Sequence, residues 1–371
     1  MESPLPKRLV SLDAFRGATI ALMILVNNPG SWSYVLPPLE HAEWHGCTPT
    51  DLVFPFFLFI MGVAMAFSFA RRLASAGSLK PLYLKIIKRT VILILLGFVL
   101  RIYLSWNFTT MRYPGVLQRI GICYFFASMI VLRTRLRGQI FWILALLLGY
   151  WGLMTLVPFP GKGPDAWAFG HNFAQYVDNL VLKGHMWKPD FDPEGIVSTI
   201  PAVATVLLGY LTGQWLRTRR QPYEKTVGLF VAGDVLIVLA LFWTYWMPLN
   251  KQLWTSSYVL YTGGIALNAL AVSYWLIDIH HVRRGVRPFV VYGSNAILAF
   301  FGSTFMAKTF YKVTFRLGDG SRTSITGYLF GHILRPLFGN WLGSLVHALL
   351  YILIWWAVLE WMYRRRIFIK I

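Results

Sequence analysis

The sequence predicts an all-α, polytopic membrane protein of about ten transmembrane helices, with one additional interfacial or re-entrant helix. Three observations carry this. Of 371 residues, 56% are hydrophobic and only 13% are charged, too little polar surface to cover a soluble globule of that size. Apolar runs recur at spanning length, roughly 20 residues for a ~30 Å hydrocarbon layer. The bases fall in short clusters between alternate runs, the pattern of loops retained on the cytoplasmic side.

The runs follow one another along the chain. The first, 9–28, comes after Lys7 and Arg8 as a signal peptide would. It carries Asp13 and Arg16 and lacks a small-residue cleavage site, so it reads as an uncleaved first span. Runs 52–70 and 86–105 flank the basic stretch from Arg71 to Arg89, and 116–132 and 139–157 flank Arg133, Arg135 and Arg137. A long loop, 158–195, rich in Pro, Gly, Asp and Trp, leads to 196–216. Arg217, Arg219, Arg220 and Lys225 separate that run from 226–246. Run 257–277 is followed by Arg283, Arg284 and Arg287, then by 288–306. The last run, 341–361, ends at Arg364 to Arg366 and Lys370. In a ten-span arrangement each of these basic clusters lies on one side, assigned as cytoplasmic with both termini. An eleventh span at 323–338 would move Arg364 to Arg366 to the other side. That short, broken segment is therefore assigned as the re-entrant or interfacial helix. The chain, 1–371, reads as a single transmembrane domain, with loops 29–51 and 158–195 over its outer mouth.

The net charge of +20 is that same basic bias, not a nucleic-acid footprint, because no basic stripe is interleaved with stacking aromatics. Two cysteines, Cys47 and Cys123, make no disulfide framework.

Spanning a bilayer does not explain the loop Glu40-His41-Ala42-Glu43-Trp44-His45-Gly46-Cys47 with Asp51 close behind. Two imidazoles, three carboxylates and a thiol beside hydrocarbon are costly and mark a functional candidate. His41 and Asp51 suit a base and its orienting carboxylate, since a carboxylate on one ring nitrogen leaves the other to take a proton. The alternative is a solvated interfacial histidine. Cys47 with His45 is the pattern of an activated nucleophile. A metal site from His41, Glu43, His45 and Asp51 matches no familiar ligand spacing, and none is assigned. Asn27 ends the first run, as a helix C-cap or as an amide donor to the loop. Asp13 and Arg16 stand three apart, as a self-neutralising pair or with Arg16 facing a phosphate. Gln118 and Arg119 open the fourth span, Ser257 the eighth, and Asn295 interrupts the ninth; lipid offers such groups no partner. Helix caps and small-residue packing faces are the plainer readings of these positions.

Several segments in order, from the first span to the last residue, resemble the heparan-α-glucosaminide N-acetyltransferase family of transmembrane acetyltransferases, in its bacterial glucosamine N-acetyltransferase branch. They are Leu12-Asp13-Ala14-Phe15-Arg16-Gly17, His41-Ala42 with Trp44, Gly46 and Asp51-Leu52-Val53-Phe54-Pro55, and Phe59-Ile60-Met61-Gly62. Pro114-Gly115-Val116-Leu117-Gln118-Arg119, Asp192-Pro193-Glu194-Gly195, Leu253-Trp254 to Tyr258 and the basic Tyr363 to Ile371 complete the set. The resemblance implies transfer of acetyl from cytoplasmic acetyl-CoA to the amine of glucosamine, or of a glucosamine-ended saccharide, on the far side. It implies His41, Asn27 and Asp51 as the catalytic set, with His41 as base or transient acetyl carrier and Asn27 as oxyanion donor. It also implies a bilayer setting, an amino-sugar acceptor and a homodimer as the usual oligomer. The family's lysosomal members carry a luminal domain and an extra span before this region, and the ten-span count fits a chain without them. Cys47 has no counterpart in the family pattern, and His45 stands where asparagine is usual.

That chemistry assigns the remaining candidates. Arg16, Arg89 and Lys370 are expected to meet the phosphates of coenzyme A, and Gln118, Arg119, Ser257 and Asn295 to line the path of its pantetheine arm. Trp44 is expected to stack on the sugar, with Asp178, Asp192 and Glu194 holding its cationic amine. A transporter of amino sugars without acyl transfer is the competing class, although the paired broken helices of an internal repeat are missing from the sequence. A metal-dependent membrane hydrolase is a third.

Overall fold

A computed structural model describes residues 9–75, 78–104 and 106–369. Lys7, Arg8 and Lys370 lie outside the described residues. Every expected span has a helix. In chain order these are α1 (Val10–Asn27), α2 (Val53–Ser75), α3 (Lys80–Ile102), α4 (Val116–Arg133) and α5 (Leu136–Leu156). A short α6 (Phe173–Val181) in the long loop precedes α7 (Thr199–Leu216), α8 (Pro222–Trp243) and α9 (Ser256–Tyr274). Then come α10 (Arg287–Ser294), α11 (Ala296–Lys312), α12 (Ile325–Tyr328) and α13 (Arg335–Arg364). The protein is an all-α polytopic membrane protein.

Among the described residues, seven helices are long and apolar enough to cross a bilayer, or eight if the bent pair α10 and α11 counts as one span. The two that fall short of the expected ten are α3 and α7. Lys80, Lys85, Lys88, Arg89 and Arg101 dilute the first, and Thr199, Thr205, Thr212 and Gln214 the second. Segment 323–338 holds the end of a small hairpin (β1 Thr314–Arg316, β2 Arg322–Ser324), then α12 and a π-helical turn that runs into α13. The helix breaks at Gly339, whose φ of 76° is left-handed, which separates this segment from the rest of α13.

Helices α2, α7 and α9 form the centre, and α5 and α8 the rim. In α2 72% of the spanning window is buried, against 22% in α8. Close approach at the centre depends on glycine: a Cβ on Gly62 or Gly209 would strike the backbone of the facing helix in the α2–α7 pair. The same holds for α1 and α10, where Gly17 meets Phe289 and Gly293 meets Asp13. The chain turns by 84° between α10 and α11. There Asn295 turns its side chain to the C-terminal tail, accepting from Ile369 N at 2.8 Å and donating to Ile367 O at 3.0 Å.

The loops that carry most of the acidic residues are brought together at one end of the bundle. Gly46 N–H donates to Leu249 O at 2.7 Å, Trp44 Nε1 to Trp167 O at 2.8 Å, and Tyr113 stacks on His185 at 3.9 Å. Four connections, 28–52, 103–115, 157–198 and 244–255, thus share one polar roof over the apolar bundle.

Candidate active site

The loop after α1 is shaped by its own short-range chemistry. Pro49–Leu52 forms a 3-10 turn whose start is closed by Thr48 and Asp51. Asp51 Oδ2 accepts from Thr48 N–H and Ala42 N–H, each at 3.1 Å, and from Thr48 Oγ1 at 3.0 Å. One carboxylate oxygen is thereby spent on folding the loop. The other, Oδ1, faces His41 Nδ1 at 2.7 Å. Tyr258 OH donates to the Asp51 carbonyl at 2.5 Å, which ties the turn to α9.

Burial divides the two partners. The Asp51 side chain is 1% exposed and that of His41 is 42% exposed. The imidazole therefore has one nitrogen on a fixed acceptor and an open edge toward solvent, the arrangement of an oriented base. A third group joins them: Lys251 Nζ lies 3.2 Å from Asp51 Oδ1 and 2.9 Å from His41 Nδ1. Burial pulls the Lys251 ammonium below its ordinary range, and the neighbouring Asp51 opposes that pull.

Elsewhere in the loop Glu40 and Glu43 are exposed, and Trp44, His45 and Cys47 have their own neighbours. Trp44 stands edge-on to Phe169 and Phe191, at 5.0 and 5.6 Å between ring centres, so its rings and its N–H are already engaged by the long loop. His45 Nδ1 lies 3.3 Å from Asn250 Nδ2, and burial moves this imidazole below its usual range. Burial pushes the Cys47 thiol up to about 12, so it stays protonated near neutrality and makes a poor nucleophile.

Asp192 and Glu194 of the long loop form a separate, closed network with Arg112. Arg112 clamps Asp192 through Nε at 2.6 Å and Nη2 at 2.5 Å, and also pairs with Glu194. Asp192 further accepts from Trp187 N–H and Glu194 N–H, each at 2.9 Å, and its side chain is 0% exposed. Burial pulls the Arg112 guanidinium down, and the two carboxylates more than reverse this, leaving it above its ordinary range. Asp178 is buried against Gly195 and accepts from Ile196 N–H at 2.8 Å; burial raises its carboxyl to about 6. The structure therefore turns the three acids expected to bind an ammonium into fasteners between loop and bundle.

Of the other candidates, Arg119 is buried beneath the roof. It donates to Gly195 O at 3.1 Å and Ser198 Oγ at 2.5 Å, with its guanidinium 5.2 Å from the Trp254 ring. Gln118 and Arg119 line an apolar hollow of about 880 Å³ between α3, α4, α5 and α7, which runs from Glu194 to Arg133. Ser257 Oγ donates to Pro248 O at 3.1 Å. Arg16 meets Asp13 at 3.1 Å and the Gly293 carbonyl at 3.4 Å, in the same corner as Asn295. Arg89 lies over the Tyr124 ring at 4.5 Å. Asn27 donates to Met23 O at 2.8 Å and lines a second cavity, of about 790 Å³, with Arg101, Ser303, Lys308, Lys312 and His347; His41 is not in that lining.

Sequence reasoning missed Lys251, Arg112 and Tyr258 as participants. The first two carried a signal: Arg112 is the one base of 106–115 and Lys251 the one base of 247–256.

A family described as "Domain of unknown function (DUF5009)" matches residues 8–162, the stretch that holds the His41 loop and helices α1 to α5. The chain is 33% identical over 360 residues to a heparan-alpha-glucosaminide N-acetyltransferase from Homo sapiens, covering 81% of this chain and 53% of that protein. It is 29% identical over 372 residues to the protein of the same name from Mus musculus, covering 84% of this chain and 55% of that one. The chain is a relative of the heparan-alpha-glucosaminide N-acetyltransferases. It spans about half the length of the curated relatives it matches. The resemblance read from the motifs is thus borne out by similarity to these relatives across most of the chain.

Proposed function

We propose that this chain is a membrane N-acetyltransferase, moving an acetyl group from acetyl-CoA to the amine of glucosamine or of a glucosamine-ended saccharide. The observation that carries the reading is the half-exposed His41 imidazole, held at 2.7 Å by a buried carboxylate. Similarity to the N-acetyltransferases supports the reaction class.

In this reading Asp51 accepts Nδ1–H and leaves His41 Nε2 to take a proton from the attacking amine. The amine nitrogen bonds to the thioester carbonyl carbon, the carbonyl becomes an oxyanion, and the C–S bond then breaks to release the thiolate of coenzyme A. Asn27 is the proposed oxyanion donor, since Met23 O takes only one of its two amide hydrogens. Asp51 is anchored through Thr48, Ala42 and Tyr258, so the imidazole would not need to be ordered at each turnover. The proposed setting is a bacterial inner membrane with both termini cytoplasmic, the donor arriving among Arg16 and Arg89 and the amine from the opposite side.

The deciding experiment measures thiol release by the purified protein with acetyl-CoA and a panel of amino sugars. Release is expected only when an amine is present, and His41→Ala should abolish it. Amine-independent release, or liposome uptake of the sugar without acetyl-CoA, would overturn the reading. Michaelis constants for acetyl-CoA in Arg16→Ala and Arg89→Ala then test the proposed phosphate contacts.

A further inference from the structure

Lys251 reaches the site by a route the sequence does not announce. The 244–255 connection is laced to the catalytic loop by Gly46 N–H to Leu249 O at 2.7 Å and by Asn250 beside His45 at 3.3 Å. The residue after this lacing is Lys251, whose Nζ stands 3.2 Å from the same Asp51 oxygen that faces His41. Nζ also lies 2.9 Å from His41 Nδ1 and 3.5 Å from Nε2; with Nδ1–H turned to Asp51, the shorter approach sets two donors beside one oxygen.

This matters because a carboxylate does two things to an imidazole. It fixes the tautomer, and it favours the imidazolium, which cannot accept a proton. A base needs the first effect without the second. A cation on the same carboxylate oxygen supplies that separation, because it cancels the charge and leaves the hydrogen bond in place.

We propose that Lys251 is a positioning residue that sets the charge of the His41–Asp51 pair, keeping the imidazole neutral while Asp51 orients it. The inference rests on the reading of His41 as the base. Other charged groups are less directly placed. Glu40 and Glu43, on the catalytic loop itself, are exposed to solvent. The Cys47 thiol, facing Asp51 and Lys251, is protonated. Glu194 acts on Lys251 from the segment before α7 but is paired with Arg112, and Asp165 acts on His45.

The test reads the imidazole itself. Histidine reacts with diethyl pyrocarbonate only as the unprotonated imidazole, so the purified protein is treated across a pH series and modification at His41 itself is followed by peptide mass spectrometry. Lys251→Met should move the midpoint of that profile up by about one pH unit, the effect of an uncompensated neighbouring carboxylate. Below the midpoint this is about a tenfold slower modification. Lys251→Arg should keep the original midpoint. Asp51→Asn, which leaves Lys251 alone, should move the midpoint down, and the double variant Asp51→Asn with Lys251→Met should return it toward the wild type. The double variant strands no buried charge, so the comparison survives if Lys251→Met alone fails to fold. An unmoved midpoint in Lys251→Met, or the same midpoint in Asp51→Asn and the double variant, overturns the proposal. Acetyl transfer is measured in parallel: if the wild type transfers acetyl and no midpoint moves, this inference fails and the proposed reaction stands. If the midpoints move and no acetyl is transferred, the reverse holds.

Discussion

Two ion networks sit under the same roof and differ in what they leave open. Arg112 with Asp192 and Glu194 is complete: every Asp192 oxygen has donors, and the three side chains are 12%, 0% and 11% exposed. His41 with Asp51 and Lys251 is equally dense in charge, yet the imidazole keeps 42% of its side chain in contact with solvent. The first network is a rivet that docks the long loop on the bundle. The second is anchored on its buried side and unfinished on the other. Charge density on these loops did not separate them; the number of unspent hydrogen-bonding positions did.

Substitutions can break this contrast. The largest effect is expected from His41→Ala, which should cut acetyl transfer by about a thousandfold while the protein keeps its unfolding temperature, because a general base is lost and no buried charge is stranded. An equal loss from Arg112→Met at unchanged stability would mean that the two networks share the chemistry. Instead, Arg112→Met should cost about 3–5 kcal/mol of stability, seen as a lowered melting temperature in detergent, since it leaves two carboxylates unpaired.

A smaller effect sharpens the docking role of the long loop. Burial raises Asp178 from 3.8 to about 6, so its folded value lies above its unfolded one. Its stabilising share is complete below about pH 4 and is lost as pH rises through about 6. Asp178→Asn should therefore gain about 2–3 kcal/mol over the wild type at pH 8 and little at pH 4. Parallel melting curves at the two pH values check this, and a gain independent of pH would sink it. The smallest effect is expected from Cys47→Ser: with its thiol protonated, acetyl transfer should stay within about twofold of wild type.

Much of the fold was legible because spanning helices are written locally. Apolar runs placed ten helices, with α1, α4 and α9 close to the expected limits. The hairpin at Thr314–Arg316 and Arg322–Ser324 was not legible, because three-residue strands carry no periodicity to read. In the site, His41 and Asp51 could be paired from the sequence because they stand ten positions apart in one loop. Trp44, Asp192 and Glu194 were assigned to the substrate on residue type alone. Their packing depends on Phe169, Phe191 and Arg112, which come from other parts of the chain.

By itself, then, the sequence determined a bundle of membrane helices, the side on which the acids gather, and a histidine with a nearby carboxylate in one short loop. Only the tertiary structure decided which polar groups were already satisfied. Lys251 lies 210 residues from His41, and Arg112 lies 80 from Asp192. Hydrophobic periodicity specifies that each helix forms, but the pairing of loop residues depends on how α2, α7, α8 and α9 pack and bring their connections together. Whether a charged group is a fastener or a reagent is settled by that packing, through the partners it supplies and the edge it leaves to solvent.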